Sequence, residues 1–466
     1  MEISEPELLR ATSPRRVLRG FGRVLRLDLA LGQKHWEKWS RPTRQIGQFW
    51  SHSWQADPWA KVLLLFLVCN GMPAIVVGTL AALAASFLCG FGILPGYLHT
   101  PWNHPELVVE QGPWSLASGC VSSLLVLLLL RSGRSVFLDR ICIHQSDEHL
   151  KGLAIMNMGG LLKNSESLLV MWDSTYAERL WCVFELAAYL KSHEDSSCKL
   201  MVRPVLLGPL TLITFFVVTL RSCILVAGFP VVSKDVLAGL SAVAALLAVC
   251  ALQVQKLRGY NRSMEALQHQ LSSFSFAQTK SYCCSANHKD DNGAPFRCDR
   301  EILLECITLW FGSVESFEQC VQSKVSASLL SGLGSHALPY SWILAASSPF
   351  LWAAADSAAS LFRCGEWRIG LPYLLNGLAW WLAATPALFV VCGLVSHRLR
   401  ARADRQCVDL LKSIVGAVFI IILALLAAAA QQACFTLVDD ELHAALAFSG
   451  GMTLLAGITW RKCKPS

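Results

Sequence analysis

The residues best suited to chemistry follow two apolar segments in the first half of the chain. Val136–Leu138 runs directly into Asp139, and Leu168–Trp172 is likewise followed by polar residues. Glu185 lies among apolar neighbours, four residues after Trp181 and therefore on the same face of a predicted helix. A carboxylate in a partly apolar cleft can stabilise a cation-like transition state or orient a water molecule, as carboxylates do in glycosidases. Glu185 is the carboxylate of this stretch that has apolar surroundings of that kind.

An alternation of strands and helices must position these side chains. The residue pattern predicts strands at Ser135–Ile143, Ser167–Trp172 and Cys198–Val202, with helices at Glu148–Leu162 and Glu178–Lys191. Strands that alternate with helices of this length form parallel βαβ units, which bind ligands at the carboxyl ends of their strands. The polar residues after the first two strands should therefore meet at one rim of an α/β domain.

The same segments resemble TIR (Toll/interleukin receptor) domains. Ser165–Tyr176 and Arg179–Leu186 are similar to the strand, the Tyr-bearing turn and the Trp-Cys-x-x-Glu-Leu helix of that family. Phe49–Trp54, with Asp57, is similar to its first strand and loop, and Phe137–Gln145 also resembles the related heterokaryon-incompatibility domains of fungi. The resemblance implies a flavodoxin-like parallel sheet.

The resemblance also implies a site. Mapped onto this sequence, it makes Glu185 the catalytic residue of an NAD glycohydrolase, which cleaves the nicotinamide glycosidic bond. The residues expected near the ligand are Ser51, His52, Asp139 and Trp181. Many TIR-like domains are interaction modules without turnover, because the Trp and Cys of the helix can serve packing on the sheet. We therefore expect a non-catalytic role in signalling or assembly, with self-association through this domain. NAD nucleosidase activity is the alternative; no resident cofactor is predicted, and NAD is the substrate which that alternative requires.

The rest of the chain predicts an α-helical polytopic membrane protein with about eight spans. Of its 466 residues, 54% are hydrophobic and 16% are charged, which is too apolar for a soluble globular protein of this size. The apolar runs do not alternate with polar residues, so helices are favoured over a barrel. The runs are Met72–Leu94, Trp114–Leu130, Val205–Phe229, Val236–Gln253, Leu338–Phe362, Leu371–Val395, Ile414–Ala430 and Leu442–Trp460.

Charged flanks predict that both termini and both long loops face the cytosol. Lys and Arg are concentrated in the N-terminal arm and in Arg398–Lys412, whereas Pro95–Pro113 and Gln431–Glu441 carry acidic residues and no Lys or Arg. Basic flanks remain on the cytosolic side. The exception is the loop with Arg363 and Arg368, which this topology places outside. The net charge of +7 follows from the basic arm, so the expected partner is the lipid bilayer and not nucleic acid.

These predictions give a TIR-like domain that membrane segments interrupt. A TIR domain would have only a short helix and loop where the first hairpin stands, so its two halves must return to one compartment to close the sheet. The predicted order is a basic N-terminal arm (1–44), the first strand and loop of the domain (45–61), a membrane hairpin (62–130), the remainder of the domain (131–204), a second hairpin (205–254), a cytosolic helical loop region (255–337), a four-span bundle (338–460) and a cytosolic tail (461–466).

A transporter or channel is the competing class. Ionisable residues within membrane spans usually mark an ion or substrate path, and Asp356 stands in the middle of an Ala-rich predicted span. The first and last four spans show no internal repeat of the kind that inverted-repeat carriers have. The transporter interpretation therefore depends on Asp356.

A zinc site is the last alternative. Cys283, Cys284, His288 and Cys298 are the right residue types for a tetrahedral site. Adjacent cysteines, however, match poorly the gap of two residues that such sites favour. We therefore predict an ordinary loop with reduced thiols at these positions, and no metal site.

Overall fold

The computed structural model of the protein divides into two units. The sheet unit comprises Met1–Leu65, Arg131–Gly208 and Ser263–Gly334, and the helical unit comprises Phe66–Leu130, Pro209–Arg262 and Ser335–Ser466. Both long loops of the sequence thus belong to the sheet unit, together with the N-terminal arm. The residues described are 5–26, 38–101, 104, 106–130, 133–194, 199–226, 236–285, 287–288, 298–333 and 338–462.

A four-stranded parallel sheet forms the centre of the sheet unit. Its strands pair in the order β6-β3-β7-β8, and every residue of β3 and β7 is buried. Burial on both faces explains why β7 is a continuous apolar run without alternation. The strands in chain order are β1 (Arg10–Ala11), β2 (Arg41–Pro42), β3 (Gln48–His52), β4 (Tyr97–His99), β5 (Val109–Gln111), β6 (Val136–Phe137), β7 (Leu168–Trp172) and β8 (Leu200–Pro204).

The helices account for most of the remaining described residues. Two π-helical stretches, Val321–Val325 and Trp380–Ala384, continue α12 and α15. The helices in chain order are α1 (Pro14–Arg26), α2 (Pro58–Gly90), α3 (Trp114–Leu129), α4 (Asp139–Cys142), α5 (Glu148–Met156), α6 (Met158–Lys163), α7 (Leu180–Ser192), α8 (Leu207–Val226), α9 (Val236–Ser272), α10 (Tyr282–Ser285), α11 (Asp299–Phe311), α12 (Val314–Cys320), α13 (Ser326–Leu333), α14 (Tyr340–Arg363), α15 (Trp367–Ala379), α16 (Thr385–Arg398), α17 (Gln406–Leu437) and α18 (Glu441–Lys462).

Two of the predicted elements in the sheet unit are wrong in extent. The strand expected to reach Ile143 ends at Phe137, because the Leu138 carbonyl accepts the Ile141 and Cys142 N–H groups and starts the short helix α4. The helix expected over 148–162 breaks at Asn157, whose side-chain amide donates to the Leu153 carbonyl at 2.8 Å. β7 and α7 form at the predicted places, and β8 begins at Leu200.

The helical unit supplies most of the apolar length of the chain. Four helices are long and apolar enough to cross a membrane, which agrees with a membrane protein. Two described helices are apolar but shorter, Trp114–Leu129 and Leu207–Cys223. The other predicted spans stay predictions; polar residues within α14, Asp356 among them, lower its hydropathy. The four long helices are Pro58–Gly90, Trp367–Arg398, Gln406–Leu437 and Glu441–Arg461.

Asp356 has a structural partner in the helical unit. Its two carboxylate oxygens accept the backbone N–H groups of Ser115 and Leu116 at 2.7 and 3.0 Å. These N–H groups belong to the first turn of α3, where no intrahelical acceptor exists. Because Asp356 is buried and caps this helix, its presence within α14 needs no ion path to explain it.

A second polar centre of the helical unit surrounds Arg258. This residue of α9 is fully buried, and its guanidinium lies 2.7 Å from the Asp409 carboxylate. It also donates to the Ser413 hydroxyl at 2.8 Å and to the Leu399 carbonyl at 2.7 Å. The charge and its hydrogen bonds fasten the second half of α9 to the start of α17 and to the segment that precedes it.

Candidate functional site

The candidate site lies at the carboxyl ends of β3 and β7. Within the four-stranded sheet, β3 comes first in the sequence, yet it lies between β6 and β7. The chain therefore adds later strands on both sides of β3, and the strand order reverses there. Ligands of open α/β sheets bind at such a switch point. Ser51 of β3, Tyr176 after β7 and Glu185 of α7 meet at this place, and all three are buried.

These three residues form one chain of hydrogen bonds. Ser51 Oγ lies 2.5 Å from Glu185 Oε2 and 2.7 Å from Tyr176 Oη. Tyr176 Oη in turn donates to the Cys182 carbonyl at 3.0 Å. Each of these three contacts needs one proton between its two oxygens. The two hydroxyl groups supply two protons and the carbonyl supplies none, so the third must come from the Glu185 carboxyl.

The surroundings of Glu185 favour that protonated form. The side chain keeps only 8% of its exposure. Burial raises the pKa of Glu185 from 4.5 to about 8; the Ser51 hydroxyl opposes this rise and the nearby Asp139 adds to it. When a desolvated carboxyl group faces only neutral hydroxyl groups, ionising it costs more free energy in lost hydration than its hydrogen bonds return. Near neutral pH, Glu185 donates to Ser51, and Ser51 donates to Tyr176.

A second polar cluster is centred on Trp54, just beyond β3. Its indole N–H donates to Asp139 Oδ2 at 2.9 Å, and the Arg140 guanidinium lies 4.8 Å from its ring centroid. The His52 ring packs edge-on against the indole, with 4.4 Å between centroids. Lys61 is fully buried, 5.3 Å from the same ring, and donates to the Ser53 carbonyl. The indole thus gathers an acid, two cations and an imidazole.

The charges of this cluster set its protonation states. Burial, followed by the positive charges of Lys61 and Arg140, holds the pKa of His52 well below its usual range. Burial raises the pKa of Asp139, while the Trp54 N–H and the nearby cations lower it in part. His52 is therefore neutral, and its buried Nε2 has no hydrogen-bond partner among the described residues. A ring nitrogen of this kind can accept or donate one bond to a ligand.

The rim also includes the turn after β7. Thr175 Oγ1 donates to Ser53 Oγ at 2.7 Å and lies 3.0 Å from both carboxylate oxygens of Asp173. Burial raises the pKa of Asp173, and the hydroxyl and backbone of Thr175 lower it in part. The ends of β3 and β7 are thereby joined by side chains as well as by the strand pairing.

Four of the five predicted site residues come together as two clusters. Ser51 and Glu185 are in direct contact, and His52 and Asp139 both contact Trp54. Successive residues of a strand point to opposite faces, so Ser51 faces α7 while His52 faces away from it.

The fifth predicted residue, Trp181, has different contacts. Its indole N–H faces Asp299 Oδ2 of α11 at 3.4 Å, and its ring packs edge-on against Phe184. Phe184 stacks in turn on Trp310 near the end of α11, with 5.3 Å between ring centroids. Trp181 therefore joins α7 to α11, and no described contact links it to Ser51 or His52.

The sequence reasoning missed several members of the site. Tyr176 stands in the Asp-Ser-Thr-Tyr turn that directly follows β7, and this position could have indicated it. Lys61 could have been indicated by its position, because it is a single cation at the start of a long apolar helix. Trp54 and Thr175 lie in segments that the sequence does connect with the site, namely the loop after the first strand and the turn after β7. Their particular roles were not predicted, because they arise from contacts between segments that are far apart in sequence.

Comparisons with known proteins add no assignment. No family model matches the chain, and no curated protein or solved structure is significantly similar to it. The TIR resemblance therefore rests on its motif residues alone.

Proposed function

We propose that this chain is a membrane-anchored, TIR-like signalling or assembly protein whose sheet unit does not turn over NAD. The observation that carries the proposal is the buried chain from Glu185 through Ser51 and Tyr176 to the Cys182 carbonyl. This chain is complete only while Glu185 is protonated. Glu185 then serves as a hydrogen-bonding centre that joins α7 to β3 and to the turn after β7.

The chemistry of NAD cleavage explains why a protonated Glu185 argues against an enzyme. Nicotinamide leaves a cationic pyridinium as a neutral molecule, so its departure needs no acid. A carboxylate would help by placing its negative charge beside the developing ribosyl cation. A neutral carboxyl group lacks that charge, and a ligand would also have to displace the Ser51 hydroxyl from it. NAD hydrolysis is the second candidate, because Glu185 lies at the switch point where nucleotides bind.

Nicotinamide release tests the proposal directly. Full-length protein in detergent is incubated with NAD from about pH 6 to about pH 9, in parallel with Glu185→Gln. We expect equal, background release at every pH. The enzyme candidate instead requires release that increases as pH passes through about 8 and is absent from Glu185→Gln. That result would overturn the non-catalytic proposal.

Strand pairing supports the proposed path through the membrane. β3 hydrogen-bonds to β6 and β7, so the sequences on both sides of Phe66–Leu130 lie in one compartment. If this segment enters the bilayer, it must cross it an even number of times. α2 is one crossing helix. α3, with 16 residues, is about 24 Å long at about 1.5 Å per residue, which is short of the hydrocarbon core of about 30 Å. The proposed hairpin therefore rests on the even number of crossings and not on the length of α3.

Thiol labelling tests the proposed orientation. Cys364 and Cys407 are both exposed and flank the long helix Trp367–Arg398. Positive-inside reasoning assigns Cys407 to the cytosol and Cys364 to the opposite side. In sealed vesicles, a membrane-impermeant maleimide should label them from opposite sides, and Lys280→Cys, an exposed position of the sheet unit, should follow Cys407. Labelling of Lys280→Cys together with Cys364 would contradict the cytosolic orientation.

Self-association through the sheet unit completes the proposal, on the ground of the TIR resemblance. Light scattering of the full-length protein in detergent, with the detergent mass subtracted, measures it. We expect the mass per particle to increase with protein concentration. A protein mass per particle equal to that of one chain at all concentrations would remove self-association from the proposed role.

A further inference from the structure

Four metal-ligand side chains converge in the sheet unit, away from the Glu185 site. Cys283 and Cys284 lie on α10, His288 follows it, and Cys298 precedes α11. One ligand atom from each of the four lies within 4.8 Å of the others. The segment 289–297, outside the described residues, separates the first three from Cys298. We propose that these four residues bind one Zn²⁺ ion in a tetrahedral structural site.

The sulfur positions fit such an ion. The Cys283 Sγ atom lies 3.8 Å from the Sγ atoms of both Cys284 and Cys298, which are 4.0 Å from each other. A regular tetrahedron with Zn–S bonds of about 2.3 Å has about 3.8 Å between its sulfur atoms. A disulfide would bring two sulfurs to about 2.05 Å. The three thiols are thus spaced as ligands of one ion and not as bonded partners.

The imidazole completes the set. Nε2 of His288 is buried beside the Cys298 thiol and has no hydrogen-bond partner of normal geometry. An unpaired buried nitrogen is costly unless something binds it, and a neutral imidazole is a common zinc ligand. With four protein ligands the coordination would be closed, which is the pattern of structural and not of catalytic zinc.

The backbone explains how adjacent cysteines can both serve. After α10 the chain turns back on itself: the His288 N–H donates to the Cys283 carbonyl at 2.9 Å, and the Asn287 N–H donates to the Cys284 carbonyl at 3.3 Å. Asn287 and His288 have φ angles of +51° and +57°. Two consecutive non-glycine residues in the left-handed region are strained. A metal–imidazole bond would offset that strain and hold the turn.

The site would fix the start of α11, because Cys298 is the residue that precedes this helix. The next residue, Asp299, accepts from Trp181, and Trp310 stacks on Phe184 of α7. The Zn²⁺ ion would thus hold in register the helix that packs on the Glu185-bearing helix. Because three thiols lose their protons when the ion binds, affinity should increase with pH.

Cobalt substitution tests the proposal on the full-length protein. The protein is purified in detergent with reductant, stripped of metal and titrated with Co²⁺. We expect one equivalent to bind with a thiolate-to-cobalt charge-transfer band and the intense visible bands of a tetrahedral ion, and Zn²⁺ should abolish both. Folded wild-type protein that binds no Co²⁺, or gives only the weak bands of an octahedral ion, would overturn the proposal.

Matched variants assign the ligands. Cys298→Ser should weaken Co²⁺ binding by more than about 100-fold. His288→Cys should keep it and strengthen the charge-transfer band, because a fourth thiolate replaces the imidazole. Cys320→Ser, outside the cluster, should bind as wild type does. Unchanged binding in Cys298→Ser would refute the site.

Discussion

Two buried polar centres, one in each unit, stabilise their surroundings in opposite ways. In the sheet unit, Glu185 contacts the neutral hydroxyl of Ser51, and the chain is complete when the carboxyl holds a proton. In the helical unit, Arg258 remains charged although it is fully buried, because the Asp409 carboxylate lies 2.7 Å from it. The first centre avoids a charge, and the second compensates one.

The difference teaches how each centre can fail. A neutral chain of hydroxyl groups breaks when a proton is removed, so its stability depends on pH. An ion pair keeps its form over the physiological pH range, but the loss of one partner leaves an isolated charge or unpaired carbonyl groups. The two centres therefore respond to different perturbations, and the predictions below separate them.

The largest effect is expected from Arg258→Met. The substitution leaves Asp409 without its partner and the Leu399 carbonyl without its donor. Breaking a buried pair in this way costs about 3–5 kcal/mol, measured as the free energy of unfolding in mixed micelles. Arg262→Met, one helical turn further on, removes a bond to the Arg400 carbonyl and a longer-range attraction to Asp409, but no contact with the Asp409 carboxylate, and serves as the control. Equal losses in both variants would refute the role given to Arg258.

A pH titration should give the next largest effect. The folded-state pKa of Glu185, about 8, lies above the unfolded value of 4.5. The folded protein therefore holds a proton that the unfolded chain has released. This contribution is fully present below about pH 4.5 and is lost as pH increases through about 8, by about 1.4 kcal/mol for each pH unit in between. The free energy of unfolding of the sheet unit measures it.

Glu185→Gln is the matched control for that titration. Its amide can donate to Ser51 as the protonated carboxyl does, without titrating. The free energy of unfolding of the variant should therefore lack the pH dependence that Glu185 causes. At every pH it should stay near the value that wild type has at acidic pH. An identical pH profile in the two proteins would show that Glu185 is not the titrating group.

Tyr176→Phe should have a smaller effect. It removes the hydroxyl that donates to the Cys182 carbonyl and contacts Ser51, so two buried groups each lose one hydrogen-bond partner. The expected loss is about 1–3 kcal/mol. In the Glu185→Gln background the loss should differ, because both residues belong to one hydrogen-bond chain. Strict additivity in this double-mutant cycle would contradict a connected chain.

The smallest effect is expected at an exposed ion pair. Lys324 and Glu194 are 2.5 Å apart, closer than Arg258 and Asp409 at 2.7 Å, but their side chains are 60% and 47% exposed. Water and salt screen such a pair. Lys324→Ala should leave the unfolding midpoint unchanged within error, so that burial and not distance distinguishes the two pairs. A loss comparable to that of Arg258→Met would contradict this view.

Local patterns predicted the fold wherever one segment determines its own structure. The run Leu168–Trp172 is a strand because both of its faces are buried. Gly312 and Ser313 are the residue types that end one helix and begin the next. Gly312 indeed has a φ of +86°, and the Ser313 hydroxyl accepts the Ser316 N–H. Ser51 and Glu185, both named by the motif, are in direct contact.

Features that depend on distant segments could not be predicted. Trp181 faces Asp299, which is 118 residues further along the chain, and no local pattern encodes that contact. Cys283 and Cys284 would diverge on an ordinary helix; a left-handed turn at Asn287 and His288 accompanies their convergence with Cys298. The early end of β6 is an exception with a local cause: the Ile141 and Cys142 N–H groups donate to the Leu138 carbonyl and start a helix, which the apolar pattern did not distinguish from a strand.

The position of β3 has a consequence for biosynthesis. This strand is made first and pairs on both sides with strands made later. Residues 53–135 must leave the ribosome before β6 exists, which takes several seconds at about 5–20 residues per second. During that delay both edges of β3 lack partners, and unpaired edges attract other chains. The nascent chain therefore depends on chaperones, or on rapid membrane insertion of its first apolar helix, to keep the unpaired β3 from aggregating.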